Sequence, residues 1–146
     1  MKQYAADTYL SPFTWRYGTD EMRSVWSIHH QREIWRRIWD AMAEVQAELG
    51  LVRTEQVEDL RAHESQVDLA RAAEIEAEIR HDVMAEVKTF AEQCPIGGGI
   101  VHLGATSMDV QDNADAIRLH EALDLIIERT CTLMTTLADQ IETLAD

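Results

Sequence analysis

The sequence predicts an all-α fold, and three apolar stripes at helical spacing predict it. Ile28, Trp35, Ile38, Met42, Val45 and Leu49 recur at steps of 7, 3, 4, 3 and 4. Val83, Val87, Phe90 and Cys94 recur at 4, 3 and 4. Leu119, Leu123, Ile126, Thr130, Leu133, Leu137, Ile141 and Leu144 follow at 4, 3, 4, 3, 4, 4 and 3, inside a stretch from Ser107 to Asp146 without proline or glycine. Residues three or four apart share a helix face, so each series marks one core-facing or partner-facing stripe. The expected division is a helical domain over residues 1–107, followed over 108–146 by the first long helix of a larger helical bundle, incomplete here.

Residues 1 to 18 hold Pro12, Gly18 and aromatics but no sustained period, and read as an extended arm or loop. Arg16-Tyr17 closes it, just before the helix-start residues Thr19 and Asp20. By residue chemistry the pair is a surface arginine with a packed tyrosine, or a phosphate holder made of a planar fork of donors and an O–H. The helical pattern from Asp20 to Leu49 divides into a short helix and a longer one, which Gly50 stops. Trp26, Trp35 and Trp39 read as packing residues. His29 and His30 read as solvated or partly packed.

A short helix is expected from Thr54 to Ala62, then a linker, then a helix beginning at Val67 or Asp68. Glu74, Glu76 and Glu78 alternate, so they do not share one helical face and form a solvated acidic surface rather than a metal cluster. The apolar stripe shifts after His81. That shift, with a cation, an imidazole and a carboxylate in succession at Arg80, His81 and Asp82, predicts a break or kink where three polar groups face a ligand. His81 itself reads either as a hydrogen-bonded structural residue or as a group beside a leaving nitrogen or phosphate.

Pro95 to Gly104 is a loop with Gly97, Gly98 and Gly99 in a row. No Gly-Lys-Ser/Thr follows, so the glycines permit close backbone approach to a neighbour rather than cradling a nucleoside triphosphate. His102 is a core histidine or a group behind a site. At the start of the last helix, Thr106 with Asp109 forms a capping box, and Ser107 is a second possible cap. Free amides and the positive end of a long helix there suit a carboxylate or phosphate. At 1.5 Å per residue this helix reaches about 60 Å. A stripe that apolar to its last turn needs partner helices.

Composition narrows the partners. With 13 Lys+Arg against 27 Asp+Glu, the net charge of −14 opposes a nucleic-acid duplex or an anionic membrane. An anionic ligand must be met by local cations and helix ends, which screening over about 8 Å allows. Cys94 and Cys131 have neither Cys-x-x-Cys nor zinc-ligand spacing and read as reduced thiols, with no metal expected. The start Met1-Lys2-Gln3-Tyr4 lacks a signal-peptide core and no apolar run nears about 18 residues, so a cytoplasmic protein is expected.

The run His102-Leu103-Gly104-Ala105-Thr106-Ser107 with Val110, Asp112 and Asn113, preceded by Arg80-His81-Asp82-Val83-Met84-Ala85-Glu86-Val87-Lys88-Thr89-Phe90, resembles the adenylosuccinate lyase family of the fumarase/aspartase superfamily. The resemblance extends from the Ser11-Pro12 segment, with its Arg16-Tyr17-Gly18, to the last helix. It implies a mostly helical homotetramer whose active sites draw on several subunits. The implied reaction is β-elimination of fumarate from adenylosuccinate, giving AMP, and from the succinylated imidazole-carboxamide ribotide, in purine nucleotide synthesis without a cofactor. The implied substrate-binding residues are Arg16 and Tyr17 at the phosphate, Arg80, His81 and Asp82 at the nucleotide end, and Thr106 and Ser107 at a succinyl carboxylate. Whether His81 moves a proton stays open, and no other residue here is assigned to catalysis. The family's catalytic serine loop and its later Thr-His segment have no counterpart before Asp146, so the 146-residue chain alone is expected to be inactive. Another fumarate-releasing lyase, such as one for argininosuccinate, and a non-catalytic helical interaction module are the competing readings.

Overall fold

A computed structural model describes Ser11 and residues 13–145. Most of the expected arm, including Pro12, lies outside the described residues, as does Asp146. The part of the arm that is described, Phe13–Tyr17, forms a π-helical turn rather than extended chain. Six α-helices follow: α1 Asp20–Val25, α2 Ile28–Glu48, α3 Thr54–His63, α4 Leu69–Ile79, α5 Asp82–Gln93 and α6 Ser107–Leu144, with a 3-10 turn at Gly98–Ile100 before α6. Among the described residues there is no strand, and the all-α class holds.

Local chemistry sets most of the boundaries. The Thr19 hydroxyl accepts the Met22 N–H at 3.2 Å and the Ser27 hydroxyl accepts the His30 N–H at 3.1 Å, so α1 and α2 each begin on a hydroxyl cap. The α2 stop is at Gly50, whose φ of +71° lets its N–H reach Ala47 O while the Leu51 N–H reaches Gln46 O. Asp68 caps α4 through the Arg71 N–H at 2.9 Å.

The core gathers Ile34, Trp35, Trp39 and Ala43 of α2, Val57 and Leu60 of α3, Val83, Val87 and Phe90 of α5, and Val110 and Ala114 of α6. Trp39 lies between Trp35 and Phe90, its ring centroid 6.4 Å from the first and 6.3 Å from the second. Burying each such side chain contributes about 1.5–3 kcal/mol. The α5 stripe is buried as expected. The α2 stripe is covered only in its middle: Trp35 is buried and Ile38 and Met42 pack against the core, whereas Ile28, Val45 and Leu49 are exposed and Arg32, Arg36 and Asp40 are buried beside Trp35 and Trp39. The helix has turned its tryptophan face inward and taken the neighbouring polar residues with it. Arg36 is neutralised there by Glu86 at 2.8 Å and donates to Gln93 Oε1 at 2.8 Å and His63 O at 3.1 Å.

The glycine loop is pinned rather than loose. Asp59 Oδ2 accepts the N–H groups of Ile96 and Gly97, both at 2.8 Å. A side chain at Gly97 would collide with Gln56 O, and one at Gly98 with Ala91 O, so these two glycines do permit close backbone approach. Gly99 faces open space.

Helix α6 begins in the core and leaves it. Val110, Ala114, Arg118 and Ala122 are buried against α1 and α2, and Arg118 donates to Val25 O at 3.1 Å with its guanidinium 4.7 Å over the Trp26 ring. His30, which the sequence leaves unassigned, joins α2 to α6 through Glu121 at 2.6 Å. From Ile126 to Ala145 every residue is exposed, the expected apolar seam included. No described helix is long and apolar enough to cross a membrane.

Candidate functional site

Two helix starts converge at one end of the fold. The first is a break in the chain. Helix α4 ends when Arg80 takes a left-handed conformation, φ 55° and ψ 41°, which an L side chain adopts at a cost. His81 then runs extended and becomes the cap of α5: its Nδ1 accepts the Met84 N–H at 3.3 Å. An Nδ1 that accepts places the proton of the neutral ring on Nε2, so the outer nitrogen is a donor. Asp82, first residue of α5, has Oδ1 3.7 Å from His81 Nδ1. The expected break at Arg80, His81 and Asp82 is therefore a full change of helix, with Arg80 and His81 exposed and Asp82 half-buried.

The second start is that of α6. Gly104 has φ +74° and turns the loop into Thr106, whose N–H donates to Asp109 Oδ2 at 2.7 Å. The acidic arm of the expected capping box is thus closed. Thr106 is exposed and Ser107 half-buried, so neither is sealed in the core. One side-chain bond joins the two starts: Gln111 Nε2 donates to Asp82 Oδ2 at 3.2 Å.

His102 stands behind this junction. It has φ 67°, and its Nδ1 accepts the Trp39 indole N–H at 3.0 Å. The ring is half-buried at the edge of the core. Burial pushes its proton affinity down, Asp109 draws it up and His81 pushes it down, so the two imidazoles and Asp109 share one electrostatic neighbourhood.

Through Gln111 and Asp82 the start of α5 is tied to the first turns of α6, the helix that Thr106 and Ser107 begin. The chain does not bring Arg16 and Tyr17 to this corner. Tyr17 lines a groove of about 340 Å³ with Thr19, Met22, Ile126, Arg129 and Leu133. Ile126 is 19 residues beyond Ser107, about 28 Å along α6. Both Arg16 and Tyr17 are exposed, so Tyr17 is not the packed tyrosine that its residue type favours. Gln111 is the residue that reading the sequence missed. Its position four beyond Ser107 places it on the same helix face, a spacing that identifies it once the site face is chosen. Among the described residues no group of three or more His, Cys, Asp and Glu side chains is arranged to hold a metal ion.

No family model matches the chain. Curated relatives do. One from Saccharomyces cerevisiae is 43% identical over 136 residues, 90% of this chain. One from Methanocaldococcus jannaschii is 37% identical over 91% of it, and one from Synechocystis is 37% identical over 87%. All carry the same name. They are adenylosuccinate lyases, and this chain matches their N-terminal portion. It spans 28% of the length of the yeast protein and 29% of the other two. Lyase is accordingly the class that these relatives assign by resemblance.

Proposed function

We propose that this chain is the nucleotide-end portion of an adenylosuccinate lyase, which eliminates fumarate from adenylosuccinate to leave AMP and acts likewise on the succinylated imidazole-carboxamide ribotide. The observation that carries the reading is the junction of the α5 and α6 starts, in a chain 43% identical to the yeast adenylosuccinate lyase. The chemistry suits it. β-Elimination builds negative charge on a carboxylate-bearing fragment, and fixed dipoles and hydroxyl donors stabilise such charge without reorganising. Thr106, Ser107 and the first amides of α6 would hold a succinyl carboxylate. Arg80 and His81 Nε2–H would face the nucleotide, with the Met84 N–H orienting the imidazole and Asp82 lining the same end. Residues 1–107 would form the N-terminal domain, and 108–146 the first helix of the central bundle.

Assembly is part of the reading. Arg16 and Tyr17, proposed phosphate holders, stand too far along α6 to serve the corner of their own chain, so a second copy would supply them. The exposed seam of α6 supports a homo-oligomer, a tetramer in the whole enzyme, working in the cytoplasm. The catalytic serine and general acid would come from beyond the residues matched here, so this chain by itself would release no fumarate.

Titration tests the binding reading: affinity for AMP that falls in Arg16→Ala, and affinity for adenylosuccinate that falls in Ser107→Ala, support it. Assembly of the chain with no nucleotide binding favours an interaction module instead. Fumarate release by the intact protein from argininosuccinate, and not from adenylosuccinate, would replace the proposed substrate.

A further inference from the structure

We infer that Gln111 is a positioning residue: by holding the Asp82 carboxylate, it keeps His81 Nδ1 as the cap of α5 and so keeps the His81 proton on the outward Nε2. The inference takes its functional meaning from the proposed lyase site, but its geometry is independent of any ligand. His81 Nδ1 has two competing neighbours. The Met84 N–H, at 3.3 Å, needs the Nδ1 lone pair. The Asp82 carboxylate, with Oδ1 at 3.7 Å, favours a proton on the same nitrogen. At 3.7 Å that carboxylate is beyond hydrogen-bond length, and the Gln111 amide on its other oxygen, at 3.2 Å, restrains it from turning closer.

The other charged groups around the corner do not replace this restraint. Arg80 precedes His81 on the chain, and Asp109 and His102 act from the α6 side. Arg32 acts on Asp82 from α2, but it is buried against Trp35 and nearest to Glu86. Only Gln111 has a side-chain donor on Asp82 Oδ2 among the described residues. Its removal frees Asp82 to turn toward Nδ1. The proton then moves from Nε2 to Nδ1 through solvent, the α5 cap opens, and the outward nitrogen becomes an acceptor. Charge and composition of the ring are unchanged; only its donor face is reversed.

The test is long-range ¹H–¹⁵N correlation NMR of the imidazoles at pH 8 on the chain and on Gln111→Ala, a substitution that suits a helix, with Met84 amide exchange read alongside. In the parent chain His81 Nδ1 has the shift of an unprotonated nitrogen. In Gln111→Ala it moves toward the protonated position, and the Met84 amide exchanges roughly fivefold faster, as loss of one weak hydrogen bond implies. Adding Asp82→Asn to Gln111→Ala restores the parent tautomer, because the competing carboxylate is gone; a role limited to docking α6 on α5 gives no such rescue. An unchanged His81 tautomer in a folded Gln111→Ala chain overturns the inference, as does a shift that Asp82→Asn fails to reverse. AMP titration of the same samples reads the lyase proposal separately, since the tautomer result is the same whether or not AMP binds.

Discussion

The Arg36 guanidinium and the Glu86 carboxylate meet at 2.8 Å, and neither side chain has any exposure to solvent. Arg36 also lies 4.5 Å over the Phe90 ring, and Arg32 approaches the far oxygen of Glu86 at 3.9 Å. Two cations of α2 thus close around one anion of α5. Removing the anion strands both. Glu86→Ala is expected to lower stability by about 3–5 kcal/mol, the loss typical when one partner of a buried pair is removed. Urea denaturation at constant pH measures it, and a loss below about 1 kcal/mol would show that water reaches the pair.

His102 gives the fold a pH dependence with a definite sign. Burial holds its proton affinity below the ordinary histidine value, near 6.5, and the Trp39 N–H needs its Nδ1 unprotonated. The unfolded chain therefore binds this proton more readily than the native one. The stabilisation is complete above about pH 6.5 and is lost as pH falls from there through the folded-state value. Asparagine tolerates positive φ, so His102→Asn avoids added backbone strain. Denaturation midpoints at pH 7.5 and 5.5 should differ more in the parent chain than in His102→Asn; equal differences would remove His102 from the account.

Asp59 holds the glycine loop by two amides at once. Asp59→Ala leaves the Ile96 and Gly97 N–H groups without that acceptor, and should cost about 1–3 kcal/mol while speeding hydrogen exchange at both. Exchange at Val57 and Leu60, in the body of α3, should change far less.

Arg80 sits in a conformation that asparagine tolerates better. Arg80→Asn is expected to raise stability by up to about 1 kcal/mol through relief of the left-handed strain. It should weaken AMP binding all the same, because the proposed site loses its nearest guanidinium. A variant both more stable and equally tight for AMP would take Arg80 out of that site.

Periodicity located the helices well where one apolar stripe met one neighbour. The α5 stripe, the Gly50 stop and the Thr106 start were each legible because a local rule fixed them. Helix α2 was legible only in its middle, at Trp35, Ile38 and Met42, since it bears a tryptophan face beside an aliphatic one and the packing of its neighbours decides how far each is buried. The same packing makes Arg36 and Glu86 core residues, though their types mark them as surface. The site was half legible. The starts of α5 at His81 and of α6 at Thr106 stand where local rules put them, whereas the separation of Arg16 and Tyr17 from the α6 start depends on where the chain lays its first turn along α6. Gln111 was invisible until the two helix starts were adjacent.

Thr130 to Ala138 carry nine residues in succession without an ionisable group beyond one thiol, and none is covered. The hydroxyls of Thr130, Thr132, Thr135 and Thr136 all turn back onto carbonyls of their own helix, so this belt offers no free hydroxyl hydrogen from those four residues. The charges of α6 flank it instead, with Glu128 and Arg129 before and Asp139 and Glu142 after. A neutral collar of this length between two charged stretches sheds water wherever a second surface lies against it.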